Sequence, residues 1–345
     1  MKLLVVTQAM DGRDQALGFF VRWIAELAKH CEQVTVICLK EGGHGELPEN
    51  VKVLSLGKEE GRSRIKYVSR LFRYAWRERG SYDAVFVHMN QEYILLAGWF
   101  WKLMNKRIYM WRNHYAGSWL TDLAAAFCTK VFCTSKRSYT AKFGKTVFMP
   151  VGVDTDRFHP DPAVARLPRS ILFLARIAPS KRPDMLLDAL GALWNDGIAF
   201  TADIVGSPLP ADEQYYESLK AKAKELGIAE RVQFHGAVSH AEAPQLYQAH
   251  QVFVNVSPSG MFDKTIFEAA ACGCLTLASS ADWTAIAPAE FAAGDTADSL
   301  QKALVPLLEL DGAAAAKATG PLQTIINMHS LESLARRLMK EMKQD

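Results

Sequence analysis

The sequence predicts two doubly wound α/β domains, each built on a parallel sheet that helices cover on both faces. Short, nearly continuous apolar runs alternate with helix-length segments throughout the 345 residues, which is typical of parallel sheets buried on both faces. The alternation stops once, in a turn-rich stretch at 151–170 that contains three prolines, and then restarts. A chain of this length also accommodates about two domains.

The first half contains seven predicted strands, and the helical segments between them include 15–30 and 67–78. The strands are predicted at 3–8, 33–39, 51–57, 84–89, 107–114, 130–135 and 146–150. Their apolar runs are short and bounded by polar or turn residues, as expected for strands rather than helices.

Five further strands are predicted in the second half, at 170–177, 200–206, 232–238, 251–257 and 274–280. The clearest helices there are 182–196 and 212–226. In open α/β sheets ligands bind outside the carboxyl ends of the strands, so we expect a site at that edge.

Composition favours a cytosolic protein with two buried cores. Hydrophobic residues make up 49% of the chain. Four of the six cysteines are isolated and give no metal-binding spacing, and the other two, Cys272 and Cys274, are too close for an ordinary zinc pair. We expect reduced, buried thiols. The segment 1–14 turns polar after a few apolar residues, so neither a signal peptide nor a membrane span is expected.

Charge is divided unevenly between the two halves. Residues 1–160 hold 24 Lys+Arg against 15 Asp+Glu, a net +9, which leaves 16 against 22, a net −6, for residues 161–345. Such asymmetry indicates that the first half faces an anionic partner.

Two cations follow the first strand of the second half. Arg176 ends that strand, and Lys181 lies just before a helix with Pro183 in its first turn. Cations beside a helix N-terminus suit a diphosphate, although a solvated loop pair is the alternative. Gly206 ends the next strand, where a missing side chain lets a ring approach the backbone, and Gly236 is similar.

The stretch SPSGMFDKTIFEAAACGC, residues 257–274, places charged residues at the start of an apolar helix. Backbone N–H groups around Lys264 and Thr265 would receive a phosphate, and the helix dipole adds roughly 0.3–1 kcal/mol. Glu268 lies one turn further, where it would accept hydrogen bonds from two ribose hydroxyls. These features together predict a nucleoside diphosphate site.

Five sequence motifs, taken in their order along the chain, resemble those of the family 4 glycosyltransferases, a retaining family with the GT-B fold. The motifs are GVDTDRFHP, LARIAPSKRPDMLLDAL, ADIVGSP, VQFHGAVSHAEAPQLYQ and the loop ending in FEAAACG. The resemblance implies two Rossmann-like domains facing a central cleft: an acceptor domain at 1–160 and a nucleotide-sugar domain at 161–328. It also implies a C-terminal helix, 329–345, that crosses back to pack on the first domain.

The resemblance assigns roles to individual residues. The catalytic residues would be His114 beside the donor sugar, with Arg176 and Lys181 on the diphosphate. Backbone near Gly206 and Val238 would lie by the base. The remaining donor-binding residues would be Met261, Phe262, Asp263, Lys264, Thr265 and Glu268. His88 and His235 are weaker candidates. Members of the family need no catalytic metal, and no cofactor is expected.

Three features depart from the family pattern. The first of its two glutamates would stand at 260, where this chain has Gly260, so the MFDK segment would have to replace its contacts. The usual Gly-Gly turn before the first helix is missing, and Asp11 and Asp14 there are candidate acceptor ligands or ordinary turn and capping residues. Asp154-Thr155-Asp156 mimics a metal motif but falls in the interdomain pattern, so we exclude a metal site there.

A basic amphipathic segment lies at 61–80. It carries seven Arg and Lys residues, with Ile65, Val68, Phe72 and Trp76 at helical spacing. This pattern is typical of an ordinary helix packed on the sheet, or of a helix resting on anionic lipid. Nucleic acid is a poorer partner because the second half is acidic and carries no binding motif.

The resemblance thus implies a retaining, metal-independent hexosyltransferase that moves a sugar from a nucleotide sugar, with UDP favoured over GDP, to a glycan or lipid-linked acceptor in surface polysaccharide synthesis. We expect a cytoplasmic protein, peripheral on the inner face of the membrane. The alternatives are a non-catalytic nucleotide-sugar-binding scaffold, which Gly260 favours, and another GT-B enzyme such as a nucleotide-sugar epimerase. A dehydrogenase is excluded because no G-x-G-x-x-G follows the first strand of either half.

Overall fold

The computed structural model describes residues 1–14, 17–260 and 262–344, and the chain divides into two compact units. The first comprises Met1–Gly152 together with the segment from Leu331, and the second comprises Val153–Ser330. The division falls at Gly152, before the predicted boundary at 160, so the GVDTDRFHP segment lies almost wholly in the second unit.

The first unit is built on a seven-stranded parallel sheet with the order β3-β2-β1-β4-β5-β6-β7. The order reverses direction between β1 and β4, which makes this a doubly wound sheet. The strands are β1 Lys2–Met10, β2 Gln33–Glu41, β3 Val51–Ser55, β4 Ala84–His88, β5 Arg107–Trp111, β6 Lys130–Cys133 and β7 Thr146–Phe148.

Helices cover both faces of this sheet, because its strands are apolar on both sides. One buried cluster packs under α1 Phe20–Ala28 and α13 Leu331–Lys343, and a second lies under α2 Arg64–Arg77, α3 Glu92–Leu103 and α4 Trp119–Phe127. The C-terminal helix α13 therefore packs on the first unit, as the family resemblance implies.

The second unit holds a five-stranded parallel sheet with the order β10-β9-β8-β11-β12. The strands are β8 Leu167–Leu174, β9 Thr201–Val205, β10 Val232–His235, β11 His250–Asn255 and β12 Leu275–Ala278. The helices are α5 Pro183–Asn195, α6 Glu213–Glu225, α7 Ala243–Ala249, α8 Lys264–Ala271, α9 Ala281–Thr284, α10 Ala297–Glu309, α11 Gly312–Ala318 and α12 Gly320–Met328. Its order reverses between β8 and β11.

Two element ends differ from the sequence expectation near predicted site residues. β5 ends at Trp111 rather than at His114, because the Asn113 side chain accepts the Thr134 and Ser135 N–H groups and the backbone leaves the ladder. β8 ends at Leu174, which places Arg176 in the loop beyond it. In the described part of the chain, no helix is long and apolar enough to cross a bilayer.

Candidate functional site

Arg176 and Gly206 lie side by side at the carboxyl ends of β8 and β9. The Ala175 N–H donates to the Val205 carbonyl at 3.1 Å, and the Ile177 N–H donates to the Ser207 carbonyl at 3.2 Å. Arg176 is exposed and makes no hydrogen bond or ion pair with the residues that the structure describes. Its guanidinium is therefore available to an anion at this edge of the sheet.

Gly206 is required by the backbone itself. Its φ is +148°, and a Cβ there would lie 1.9 Å from the Ala175 carbonyl oxygen. The glycine thus lets the ends of β8 and β9 approach each other, a packing reason that the sequence interpretation did not contain.

Lys181 lies in a single turn of 3-10 helix, Pro179–Lys181, and forms an ion pair with Asp263 at 2.5 Å. Asp263 also accepts hydrogen bonds from Ser257 Oγ at 2.9 Å and Asn255 Nδ2 at 3.3 Å. Burial acts to raise the pKa of Asp263, but the Lys181 charge and these donors outweigh it and hold the pKa below its ordinary value. The lysine predicted to bind diphosphate is thus already paired with a carboxylate.

The N-terminus of α8 directly follows this pair. Asn255 Nδ2 also donates to Thr265 Oγ1 at 3.1 Å, which ties the first helical turn to the end of β11. Burial lowers the pKa of Lys264 to about 7, against the opposing influence of Glu268 and Asp154. Phe262 has a positive φ of 47° and packs on Phe267, with ring centroids 5.0 Å apart. Met261 lies outside the described residues.

Glu268 is buried, only 5% exposed, one turn into α8. Its Oε1 lies 3.2 Å from His240 Nε2, and His240 Nδ1 lies 3.1 Å from Arg157 Nη1. Arg157, His240 and Glu268 thus form a connected chain of polar groups from three separate segments. The carboxylate predicted to hold a ribose is fixed on one side by this chain.

Gly260, the residue that replaces the family's first glutamate, occupies a conformation that glycine favours. Its φ is +101°, it is buried, and its N–H donates to Asp282 Oδ2 at 2.7 Å. At residue 260, where the family pattern places a glutamate, the loop after β11 therefore adopts a backbone conformation that favours glycine.

In the first unit, His114 lines a pocket of about 330 Å³ beyond the end of β5. Arg112, Ala116, Gly117 and Ser118 line it with His114, and Ser118 forms the capping box of α4 with Thr121. His114 Nδ1 accepts the Ala116 N–H at 2.9 Å, and the ring stacks on Tyr115.

Asp11 and Asp14 organise the turn that precedes α1. Asp11 accepts the Arg13 N–H at 3.1 Å and pairs with Lys40 at 3.3 Å, and the first of these contacts contributes most to lowering its pKa. Asp14 Oδ1 accepts the Leu17 N–H at 2.9 Å. These hydrogen bonds support the alternative in which Asp11 and Asp14 are turn and capping residues. The helix α1 begins at Phe20 rather than near Gln15, which lies outside the described residues.

The remaining sequence candidates lie away from these groups or serve packing. Val238 is half-buried in the loop after β10. His88 is buried and stacks on Phe20, with ring centroids 4.0 Å apart. His235 lies 3.2 Å from Asp203. In the Asp154-Thr155-Asp156 segment, Asp154 is buried and Asp156 exposed, and no described group of three or more His, Cys, Asp or Glu side chains forms a metal site.

Asn255, Ser257, His240 and Arg157 are the site residues that the sequence reasoning missed. His240 and Arg157 lie inside the quoted motifs VSHAEAP and DTDRF, but nothing in their spacing, eighty-three residues apart, links them. Asn255 is the last residue of β11, and a polar residue at a strand's carboxyl end was the available signal.

Two known sequence families match the chain. Residues 154–286 match the family described as Glycosyl transferases group 1, and residues 13–110 match the family described as Glycosyl transferase 4-like. Each match lies wholly within one of the two compact units.

Curated relatives match in part. The chain is 33% identical over 167 residues to D-inositol 3-phosphate glycosyltransferase of Streptomyces avermitilis, covering 45% of this chain and 36% of that protein. It is 32% identical over 139 residues to GDP-mannose-dependent alpha-(1-6)-phosphatidylinositol monomannoside mannosyltransferase of Mycobacterium tuberculosis, covering 36% of this chain and 34% of that protein. The matches thus span about a third of the length of these relatives.

Solved structures match over nearly the whole chain. Anabaena HepE in complex with UDP and glucose has a TM-score of 0.78 at 17% identity, over 99% of both chains. Sucrose-phosphate synthase from Thermosynechococcus elongatus has a TM-score of 0.74 at 18% identity, over 100% of this chain and 99% of that one. With both family matches and two Rossmann-like units, the chain belongs to the family 4 glycosyltransferases and has the GT-B fold.

Proposed function

We propose that the protein is a retaining hexosyltransferase that moves a sugar from a nucleoside-diphosphate sugar to a glycan or lipid-linked acceptor in surface polysaccharide synthesis. The observation that carries the proposal is the carboxyl edge of the five-stranded sheet. There Arg176, Lys181 and the N-terminus of α8 supply positive charge and N–H donors, and the buried carboxylate of Glu268 lies one turn away.

Each group has a role that its chemistry suits. Arg176 and Lys181 would hold the diphosphate, with backbone N–H groups of Lys264 and Thr265. Glu268 would accept from the ribose hydroxyls. The backbone near Gly206 and Val238 would lie by the base. For the donor sugar we propose contacts from residues 261–263, Met261 among them. In the first unit we propose His114 as a catalytic residue and Asp11 and Asp14 as acceptor ligands.

The chemistry would depend on positioning and electrostatics. As the bond from the sugar to the diphosphate breaks, negative charge grows on the leaving oxygen, and the two cations with the helix N-terminus stabilise it. These groups supply the charge that a divalent ion would otherwise provide, so we propose a metal-independent reaction. The acceptor hydroxyl would attack from the face that the diphosphate leaves, which retains the configuration and needs no protein nucleophile.

The base and the sugar are open to direct measurement. HepE was solved with UDP and glucose, whereas the mycobacterial relative is a GDP-mannose-dependent enzyme. We favour a UDP-sugar and expect GDP to be the competitor.

The test is thermal unfolding with UDP, GDP, ADP and their sugars, in the presence of a chelator. A nucleotide at 100 times its Kd stabilises the protein by about 2.7 kcal/mol, which is easily seen as a rise in Tm. The rise should disappear in Arg176→Ala and Glu268→Ala, and persist in the matched control Arg231→Ala, an exposed arginine that packs over Trp194. Product formation from the stabilising donor then separates an enzyme from a non-catalytic scaffold. No rise with any nucleotide would contradict the donor site.

We also propose that the outer surface of α2 and α3 contacts an anionic membrane. Five large apolar side chains are exposed there: Ile65 (85%), Trp76 (54%), Leu96 (40%), Trp99 (50%) and Leu103 (78%). None of the four residues of the predicted stripe is fully buried: Val68 and Phe72 are half-buried, whereas Ile65 and Trp76 are exposed. The buried face of α2 is formed by Leu71 and Ala75 instead. Arg62 and Arg64, both exposed, make no ion pair with the described residues. Apolar groups among unpaired cations suit anionic lipid headgroups.

Flotation with vesicles tests this surface. We expect the protein to float with phosphatidylglycerol vesicles at low salt and to be released from them by added salt. With phosphatidylcholine vesicles it should remain in the bottom fraction. The variant Ile65→Ser with Trp99→Ser should lose flotation, and the control Leu209→Ser, an exposed leucine of the second unit, should keep it. Equal recovery with both kinds of vesicle would contradict the role of charge.

A further inference from the structure

The contact between Arg157 and His240 fixes which ring nitrogen of the histidine carries the proton. A guanidinium only donates hydrogen bonds, so His240 Nδ1, 3.1 Å from Arg157 Nη1, must accept. In the neutral ring the proton then lies on Nε2, which faces Glu268 Oε1 at 3.2 Å. His240 therefore donates to the carboxylate, and a second proton on the ring would break the bond from Arg157.

Packing holds His240 in this orientation. The Ser239 N–H and hydroxyl both donate to Glu242 Oε2, at 2.8 and 2.7 Å, and this closes the turn that carries His240 into α7. The Phe158 ring and the imidazole pack edge to face, with centroids 5.1 Å apart. Phe158 is buried next to Arg157 in the chain, so the same short segment supports the ring and supplies its hydrogen-bond donor.

The carboxylate gains a defined orientation from this arrangement. A glutamate side chain has several rotatable bonds, and its free rotation would have to be lost when a ligand binds. The Oε1 atom of Glu268 accepts the hydrogen bond from His240, and Oε2 makes no hydrogen bond with the residues that the structure describes. Because the donor is a neutral imidazole rather than a cation, Glu268 keeps its net charge for the ligand.

We propose that Arg157 and His240 are positioning residues that preset Glu268 to recognise the 2′- and 3′-hydroxyls of a nucleotide ribose. The inference rests on the proposed nucleotide site and adds what selects ribose over deoxyribose there. Arg157 acts through His240, and His240 acts through Glu268; neither touches the nucleotide.

The experiment measures the Kd values of UDP and 2′-deoxy-UDP and compares them, and it is repeated with GDP and 2′-deoxy-GDP. The wild-type protein should bind the ribonucleotide about tenfold more tightly, the effect of one hydrogen bond to a charged group. His240→Leu and Arg157→Met should bring the two Kd values close together. His240→Gln should keep the preference, because a carboxamide both accepts from Arg157 and donates to Glu268. His159→Leu, an exposed histidine of the same unit, is the control.

General loss of structure would weaken both nucleotides alike and leave their ratio unchanged, so the ratio isolates positioning from stability. If Glu268→Ala abolishes the preference and His240→Leu does not, the positioning role is wrong and the nucleotide site stands. If the wild-type protein binds none of the four nucleotides, the proposed function and this inference both fail.

Histidine-selective ¹⁵N spectra give a second readout that needs no ligand. We expect the neutral Nε2–H tautomer for His240 in the wild-type protein, and a mixture of tautomers in Arg157→Met. A proton on Nδ1 in the wild-type protein would overturn the inference, whatever the nucleotides do.

Discussion

Lys181 and Asp263 are joined by an ion pair of 2.5 Å, so the lysine that we propose for the diphosphate has a protein carboxylate as its partner in the unliganded chain. Ser257 and Asn255 hold that carboxylate from the end of β11. An incoming phosphate would have to share or replace this partner.

Replacing Asp263 by asparagine should have opposite effects on stability and on binding. The unliganded protein should lose about 1–3 kcal/mol, because a half-buried cation is left without its counter-ion. Binding of UDP or pyrophosphate should become tighter, since Lys181 no longer has to leave a carboxylate. Unfolding in denaturant and calorimetric titration measure the two quantities.

Asp295→Asn is the matched control, because Asp295 is exposed and pairs with the neighbouring Arg182. It should change stability by less than about 1 kcal/mol. Weaker binding of UDP and pyrophosphate in Asp263→Asn would contradict this prediction and would mean that Asp263 contacts the diphosphate directly.

Lys264 should take up a proton when a diphosphate binds. Burial lowers its pKa to about 7 in the folded protein, whereas an unfolded lysine titrates near 10.4. The unfolded state therefore binds the extra proton, and this lysine reduces the stability of the unliganded protein as the pH falls from about 10 to about 7. A bound phosphate would raise the pKa again. Calorimetry at pH 8, in two buffers of different ionisation enthalpy, should show proton uptake.

The uptake should disappear in Lys264→Met and persist in Lys302→Met, an exposed lysine on α10. The Lys264→Met protein should also gain stability at neutral pH without ligand. Unchanged uptake in Lys264→Met would assign the proton to another group.

Asp203 should make the second unit sensitive to acid. His250 Nε2 lies 3.0 Å from Asp203 Oδ2, and this contact is the main reason for the lowered pKa of Asp203. A carboxylate with a depressed folded pKa contributes stability above its unfolded value, near 3.9, and loses it as the pH falls through the folded value. Denaturant unfolding from pH 7 to pH 2 should show this loss, and Asp203→Asn should lower stability at pH 7 and flatten the acid profile.

Asp188→Asn serves as the control for that profile, because Asp188 pairs with Lys222 at a more exposed position. Its acid profile should match that of the wild-type protein. An identical acid profile in Asp203→Asn would show that other carboxylates determine acid unfolding.

Restoring the family glutamate with Gly260→Glu should damage the protein rather than improve it. The φ of +101° and the buried position disfavour any side chain at residue 260, and the charge would be buried as well. Gly260→Ala should cost more than about 1 kcal/mol of stability. Thermal unfolding measures this cost.

Gly61→Ala is the informative comparison, since Gly61 has a φ of +141° but lies in open space. The difference between the two alanine variants isolates the cost of burial from that of backbone conformation. Higher donor turnover in Gly260→Glu without loss of stability would contradict the assigned turn.

The sequence predicted the strands well but gave no sign of the partners of the charged side chains. Each of the twelve strands in the described part of the chain corresponds to a predicted apolar run, because burial on both faces of a parallel sheet leaves a continuous apolar signal. The partners of charged groups carry no such local signal. Nothing in the neighbours of Lys181 indicated Asp263, and nothing in VSHAEAP indicated that His240 would join Arg157 to Glu268.

Glycines show the same limit in another way. From the sequence, Gly206 was interpreted as space for a ligand ring, and Gly260 as the loss of the family's first glutamate side chain. Both have positive φ angles, and the Ala175 carbonyl blocks a Cβ at Gly206. Backbone conformation of this kind depends on a neighbouring strand or loop, which a single sequence does not place.

The return of α13 to the first unit has a consequence for biosynthesis. Residues 153–330 form a contiguous insert, whose two ends are held together by the parallel bridge between Val153 and Ser330. A ribosome would release the whole second unit before Leu331, Leu334 and Leu338 emerge to fill the remaining core of the first unit. The insert can therefore fold during translation, whereas the first unit, whose two segments flank the insert in the sequence, can be completed only afterwards.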